Sequence, residues 1–315
     1  MDKALPDNQA SSQWTSRSVG SDLQHNIFYA FIKIGGRRAA YGLLSCVALY
    51  YALFRSDIRK KASFYITRRF KDEGFFKNMI YCYRMYENLG KALIDRAMIG
   101  IKGPQSMTII FSDQKKIMDL ISEGKGVILL TAHVGCWQAT MERLRMFNAP
   151  VSLLLHHEEG DVDRHFFEHT GAANPFRVID PLGYMGGVLE MIEVLKKGEL
   201  LSIMGDRIFG SDKNTVAVDF LGGKIRLPFS AFKLASAMGT PVAVLFSHKS
   251  GPDSHKLILD RIIRVPSQIG RKEDAFRPYV AQFAQALELY TERYPYQFFN
   301  FFNMWENDTT ANRES

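Results

Sequence analysis

Positions 1–25 are dominated by polar residues, with Asn, Gln, Ser and Asp prominent, and predict a flexible lead with no packed element. The texture then inverts. Ile27-Phe28-Tyr29-Ala30-Phe31-Ile32 leads to Gly35-Gly36-Arg37-Arg38, and 39–54 (AAYGLLSCVALYYALF) carries no charge at all. A spanning helix needs about 20 apolar residues, so this run is slightly short. Arg37, Arg38 and Arg55 at its ends, with Tyr41, Tyr50 and Tyr51, predict an apolar membrane-anchor helix, as a short span or lying in plane. A buried helix of a soluble domain is the competing reading. From Gly126 onward short apolar runs alternate with amphipathic stretches. Strands are predicted at 127–130, 151–155, 176–179, 200–204, 241–246 and 257–265, with an extended segment at 224–227. Helices are predicted after the first strand to about 147, then at 184–197, 229–238 and 275–293. This alternation predicts an α/β fold: a mostly parallel central sheet with helices on both faces, preceded by the anchor helix. Chemistry in such sheets sits at the carboxyl ends of strands. The expected organisation is a lead at 1–25, an apolar and basic anchoring segment at 26–77, a catalytic domain at 78–305 and a tail at 306–315.

Composition narrows the class. In 315 residues, 46% hydrophobic and 12% aromatic content excludes a disordered chain, and 23% charged residues exclude a polytopic membrane protein. Three dispersed cysteines, Cys46, Cys82 and Cys136, form neither a disulfide framework nor a CxxC metal site, and fit a reducing compartment. The formal charge of +7 is local: 17–77 holds 12 basic against 4 acidic side chains, and the chain from Asn78 onward is neutral. A nucleic-acid enzyme spreads basic charge around its site. A basic block beside an apolar run (Arg55, Arg59, Lys60, Lys61, Arg68, Arg69, Lys71) instead predicts contact with an anionic membrane surface on the cytoplasmic side.

Three segments carry candidate chemistry. Thr131-Ala132-His133-Val134-Gly135-Cys136-Trp137-Gln138 follows a buried strand and opens a helix. A neutral imidazole there can serve as general base, and Gly135 lets backbone approach a substrate. Met204-Gly205-Asp206-Arg207 ends another predicted strand; its carboxylate can orient a partner and its guanidinium can meet a phosphate or pantetheine group, unless the pair is a structural salt bridge. His165-Phe166-Phe167-Glu168-His169 is formally H-x-x-E-H and, on a helix, would put both imidazoles on one face. Gly160, Asp161, Gly171, Asn174 and Pro175 confine that helix to about two turns, and a zinc protease also needs a third ligand. No metal is therefore expected, and His156-His157-Glu158-Glu159 reads as a strand end. P-loop, GxGxxG, GxSxG and kinase signatures are absent from the sequence.

Taken in order, these pieces resemble the bacterial lipid A biosynthesis-type acyltransferases of the lysophospholipid acyltransferase superfamily, over most of the chain from Trp14 to Trp305. That family has an apolar N-terminal anchor and a strand ending in His-x4-Asp/Glu; His133-Val-Gly-Cys-Trp-Gln138 matches the His, the Gly and the aromatic. Gly205-Asp206-Arg207, Phe220-Leu221-Gly222 and the helix at 229–238 look like its later blocks, and the aromatic run at 296–305 is similar to its C-terminal ending. The sequence departs at Gln138, which occupies the acid position; Glu142 or Asp206 would then have to support His133. The resemblance implies acyl transfer from acyl carrier protein or coenzyme A to a hydroxyl or amine of a lipid or glycolipid acceptor at the inner membrane. It also implies His133 as base, Gly135, Trp137 and Arg207 near substrate, backbone N–H groups around the oxyanion, and no tightly bound cofactor, metal or nucleic acid. A non-catalytic lipid-binding relative, or a zinc hydrolase using His165, Glu168 and His169, are the alternatives.

Overall fold

The structure, a computed structural model, describes residues 22–71, 73–137, 144, 147, 149–156, 176–208, 214–267, 269–270 and 272–305. Three helices open it: α1 (Asp22–Phe54), α2 (Ser56–Phe70) and α3 (Phe75–Lys102). α1 is kinked at Gly36, whose φ is +65°. Ala40, Leu44, Ala48 and Ala52 recur every fourth residue, so they form one stripe, and all four are buried. This stripe lets α1 lie closely along α3, where the Leu44 side chain occupies the space a side chain at Gly90 would need. The uncharged run is thus half core, with Leu49, Tyr50, Leu53 and Phe54 exposed on its other side. Among the described residues no helix is long and apolar enough to cross a membrane. The expected membrane-anchor helix is therefore corrected to a packed helix with an exposed apolar end. The charged residues just before it are also used internally: Arg37 Nε lies 3.1 Å from Asp95, and its Nη2 donates to the Ser106 carbonyl.

The α/β portion follows the predicted order. Its strands are β1 (Thr108–Phe111), β2 (Val127–Thr131), β3 (Val151–Leu154), β4 (Arg177–Ile179), β5 (Leu200–Met204), β6 (Thr215–Phe220), β7 (Gly223–Pro228), β8 (Val242–Lys249) and β9 (Ser254–Ile263). Seven form one sheet in the order β1-β9-β8-β2-β5-β3-β4, parallel except where β8 and β9 pair as a hairpin. The central strands β2 and β5 are almost wholly apolar and buried, as strands covered on both faces must be. Leu129 and Leu245 point to one face with Ile117 and Leu120 of α4 (Gln114–Ser122). Ile128, Leu130 and Ile203 point to the other, against α5 (Val188–Lys196), α6 (Ser230–Met238) and α7 (Glu273–Arg293). β6 and β7 form a separate two-stranded hairpin. Its turn residues Leu221 and Gly222 both have positive φ, the geometry that closes two-residue hairpins.

Candidate active site

The register of the sheet builds the site. β2 and β5 run parallel with Thr131 opposite Met204, so the residues two beyond each strand end, His133 and Asp206, leave the sheet side by side. His133 Nδ1 lies 2.9 and 3.0 Å from the two oxygens of Asp206, and the His133 backbone N–H donates to the same carboxylate at 3.1 Å. Asp206 is 4% exposed, whereas the His133 side chain retains 18%. Burial by itself would push the Asp206 carboxyl up; His133 and the nearby Arg207 guanidinium outweigh it and hold the group below the usual carboxylate value. Asp206 therefore stays ionised, fixes the imidazole through Nδ1 and leaves Nε2 as the nitrogen that can exchange a proton with a substrate.

A segment distant in sequence holds this loop. The Phe299 N–H donates to the His133 carbonyl, the Gly135 N–H donates to the Gln297 carbonyl, and Val134 and Phe298 form an antiparallel bridge. Phe298 is fully buried between Tyr65 of α2 and Phe220 of β6. Trp305 donates its indole N–H to the Phe220 carbonyl, stapling the segment's end. Gly135 has a φ of +55°, and a Cβ there would fall on the Ser247 carbonyl of β8, so the close approach demands glycine.

The other expected site residues are distributed as follows. Arg207 is buried; its Nη2 donates to the Phe299 carbonyl, Nε lies 4.0 Å from Asp206, and the guanidinium stacks on Phe302. These partners are protein groups beside the His133–Asp206 pair. Trp137 packs on the opposite side of the loop with Leu144, near Leu129 and Leu257. The backbone N–H groups of His133, Val134 and Gly135 donate to Asp206 and to the carbonyls of Ala132 and Gln297. Gln138 and Glu142 lie outside the described residues, as do His165, Glu168, His169 and 157–159. His156 faces Asp180 at 3.0 Å, and among the described residues no group of three or more His, Cys, Asp or Glu side chains is placed to hold a metal.

The sequence matches the bacterial lipid A biosynthesis acyltransferase family over residues 18–305. The chain belongs to that family. It is an acyltransferase of lipid biosynthesis. Among curated proteins none matches it significantly. Among solved structures it is similar to the 1-acyl-sn-glycerophosphate acyltransferase PlsC from Thermotoga maritima, at 13% identity and a TM-score of 0.36, covering 81% of this chain and 98% of that one. What sequence reasoning missed around the acyltransferase dyad is the 297–299 segment: its aromatic run was legible, but an extended strap bonded to the His133 loop has no local signature.

Proposed function

We propose that the acyltransferase moves a fatty acyl chain from a thioester of acyl carrier protein or coenzyme A to a hydroxyl or amine of a lipid or glycolipid acceptor. The observation that carries this reading is the His133–Asp206 pair at adjacent strand ends. His133 Nε2 takes the acceptor's proton as its oxygen or nitrogen attacks the thioester carbonyl. The tetrahedral intermediate collapses by breaking the carbon–sulfur bond, and the imidazolium returns the proton to the departing thiolate. Asp206 stabilises the imidazolium during that interval. In this reading Asp206 of the neighbouring strand supplies the carboxylate that the sequence lacks at Gln138, which favours a catalytic over a non-catalytic role. No step calls for a metal or a resident cofactor. The test is transfer from radiolabelled acyl carrier protein or coenzyme A thioester to total membrane lipid: His133→Ala, folded by circular dichroism, should lose 10²–10⁴-fold, on the order typical of a general base. Near wild-type transfer by that variant would sink the assignment.

The same reading places the protein on the cytoplasmic face of the inner membrane. Leu53 and Phe54 at the end of α1 and Phe75, Phe76 and Ile80 at the start of α3 are exposed. These two ends meet: Arg59 donates to the Ala52 and Leu53 carbonyls and lies over the Phe75 ring. Arg59 lies at this tip, exposed Lys60 and Lys61 follow it on α2, and Arg55 and Lys77 are paired with Asp57 and Glu73, so apolar area stands beside an excess of positive charge, the pairing that binds anionic lipid interfaces. Sedimentation with vesicles containing anionic lipid should be lost in a Phe54→Ser, Phe75→Ser, Phe76→Ser variant and only weakened by salt. Equal sedimentation of that variant and the wild type would exclude this face.

A further inference from the structure

Beside the 134–136 loop lies a cleft of about 340 Å³ lined by Tyr41, Asn88, Lys91, Lys249, Gln297 and the turn at Gly251-Pro252. It borders the site through two contacts: the Gln297 carbonyl accepts from Gly135, and Cys136 Sγ donates to the carbonyl of Ala92, the residue after Lys91. None of its lining residues is acidic. Its donors are only partly used. Of the three N–H groups on Lys91 one is spent on Glu87, and of those on Lys249 two go to Asp95 and the Pro252 carbonyl. Asn88 spends one amide N–H on the Arg84 carbonyl and Gln297 one on Lys249. Both ammonium groups lie over the ring of Tyr41, at 5.9 and 5.3 Å from its centroid, and this shared ring holds them at the cleft.

Beneath the cleft both ammonium groups are paired with carboxylates. Asp95 is fully buried and bonds Tyr41, Arg37, Lys249 and His255 at once. Glu87, paired to Lys91, is the second carboxylate in the neighbourhood. Arg37, Lys91 and Lys249 against Glu87 and Asp95 leave one positive charge in excess. Burial pulls the Lys249 ammonium down, and Asp95 only partly restores it.

We propose that this cleft binds a phosphate group carried by one of the enzyme's substrates, with Lys91, Lys249, Asn88 and Gln297 donating to its oxygens. A phosphate offers acceptor oxygens and negative charge, which match a lining of partly spent N–H donors with no acidic residue among them. Two sources have this chemistry: the headgroup of a phosphorylated lipid acceptor and the phosphopantetheine arm of the thioester donor. Which one occupies the cleft rests on the acyl-transfer reading; phosphate binding itself does not.

Calorimetry on the full chain with inorganic phosphate, glycerol 3-phosphate and 4′-phosphopantetheine tests the cleft directly. Lys91 sits on the partly exposed side of α3, so Lys91→Glu is the first variant, and Asn88→Asp replaces it if the fold suffers. Binding of one or more probes to the wild type, weakened about tenfold or more by either variant (~1.4 kcal/mol for each tenfold), is the expected result. Tighter binding of glycerol 3-phosphate assigns the lipid source and tighter binding of 4′-phosphopantetheine the donor source. His133→Ala should keep full binding while losing turnover, so failure of the catalytic assignment and failure of the cleft are read separately. No binding of any probe at millimolar concentration, or binding untouched by both variants, overturns the proposal.

Discussion

Asp206 and His133 are joined by three hydrogen bonds across adjacent strands, and this fixes what single substitutions should do. Asp206→Asn keeps size and some bonding but removes the charge and can stabilise the wrong tautomer, so transfer should fall on the order of 10²–10⁴-fold, together with a lower melting temperature that leaves the protein folded at the assay temperature. Gln138→Glu should leave transfer close to wild type, because the imidazole's Nδ1 is already committed to Asp206. Radiometric transfer by both variants beside the wild type checks the pair of outcomes; a large loss in Gln138→Glu with an unaffected Asp206→Asn would reverse the roles. At this scale the sequence was half informative. His133 stood out because it follows a buried strand and precedes a glycine. Asp206 was legible only as one of two possible carboxylates, since the choice depends on β2 and β5 being neighbours in register, which no local pattern states. The bond from Arg207 to the Phe299 carbonyl joins residues 92 positions apart, so it too has no local pattern.

The elements around the dyad act as one clamp. The loop after β2 is held by the 297–299 segment, and that segment is held by Arg207 from below and by Phe298 wedged between Tyr65 and Phe220. Gly135→Ala would force a left-handed backbone on a residue with a Cβ and push it into β8, so it should cost about 1–3 kcal/mol of stability and most of the activity. Denaturant titration and transfer assay on the same preparation measure both. Arg207→Gln should lower the catalytic constant while leaving KM for the thioester nearly unchanged, with partial rescue by Arg207→Lys, because Arg207 braces the Phe299 carbonyl of the segment that holds the His133 loop. A large KM increase with an unchanged catalytic constant would return Arg207 to the substrate. The strands were readable where an unbroken apolar run met a turn, as at Val127–Thr131 and Leu200–Met204. β1 and α4 were not assigned, since Thr108–Phe111 has only four residues and an exposed pattern. The C-terminal strap was hidden for a different reason: its bonds to His133, Gly135 and Arg207 each span more than 90 positions.

For the whole molecule, the N-terminal helices are part of the core, and the charge placed beneath them makes stability depend on acidity in two separate windows. In the sequence, the uncharged 39–54 run looked like an anchor because it carries no charge; the four-residue spacing of Ala40, Leu44, Ala48 and Ala52 that packs it on α3 is a finer signal. The pairing this creates buries Asp95 with Arg37, Lys249 and His255, while His248 sits buried nearby, stacked on Tyr294 at 4.0 Å. Burial, with Lys256 and His255 adding to it, pulls His248 down to about 4 from an ordinary value near 6.5. Between those two values the unfolded chain binds a proton that the folded chain refuses, so stability falls as pH drops from 6.5 to 4. Asp95 and Asp206 are both held below the usual carboxylate value, despite burial that acts the other way. Their contribution is complete above about 3.8 and is lost only as pH falls through their lower folded values. Thermal melts in steps from pH 8 to pH 3 should therefore show a first decline below 6.5 and a second, steeper one below about 4. His248→Phe keeps the stack on Tyr294 and cannot protonate, so it should flatten the first decline and leave the second. If that variant and the wild type melt in parallel across the whole range, His248 is not the group that titrates, and the first window belongs to another side chain.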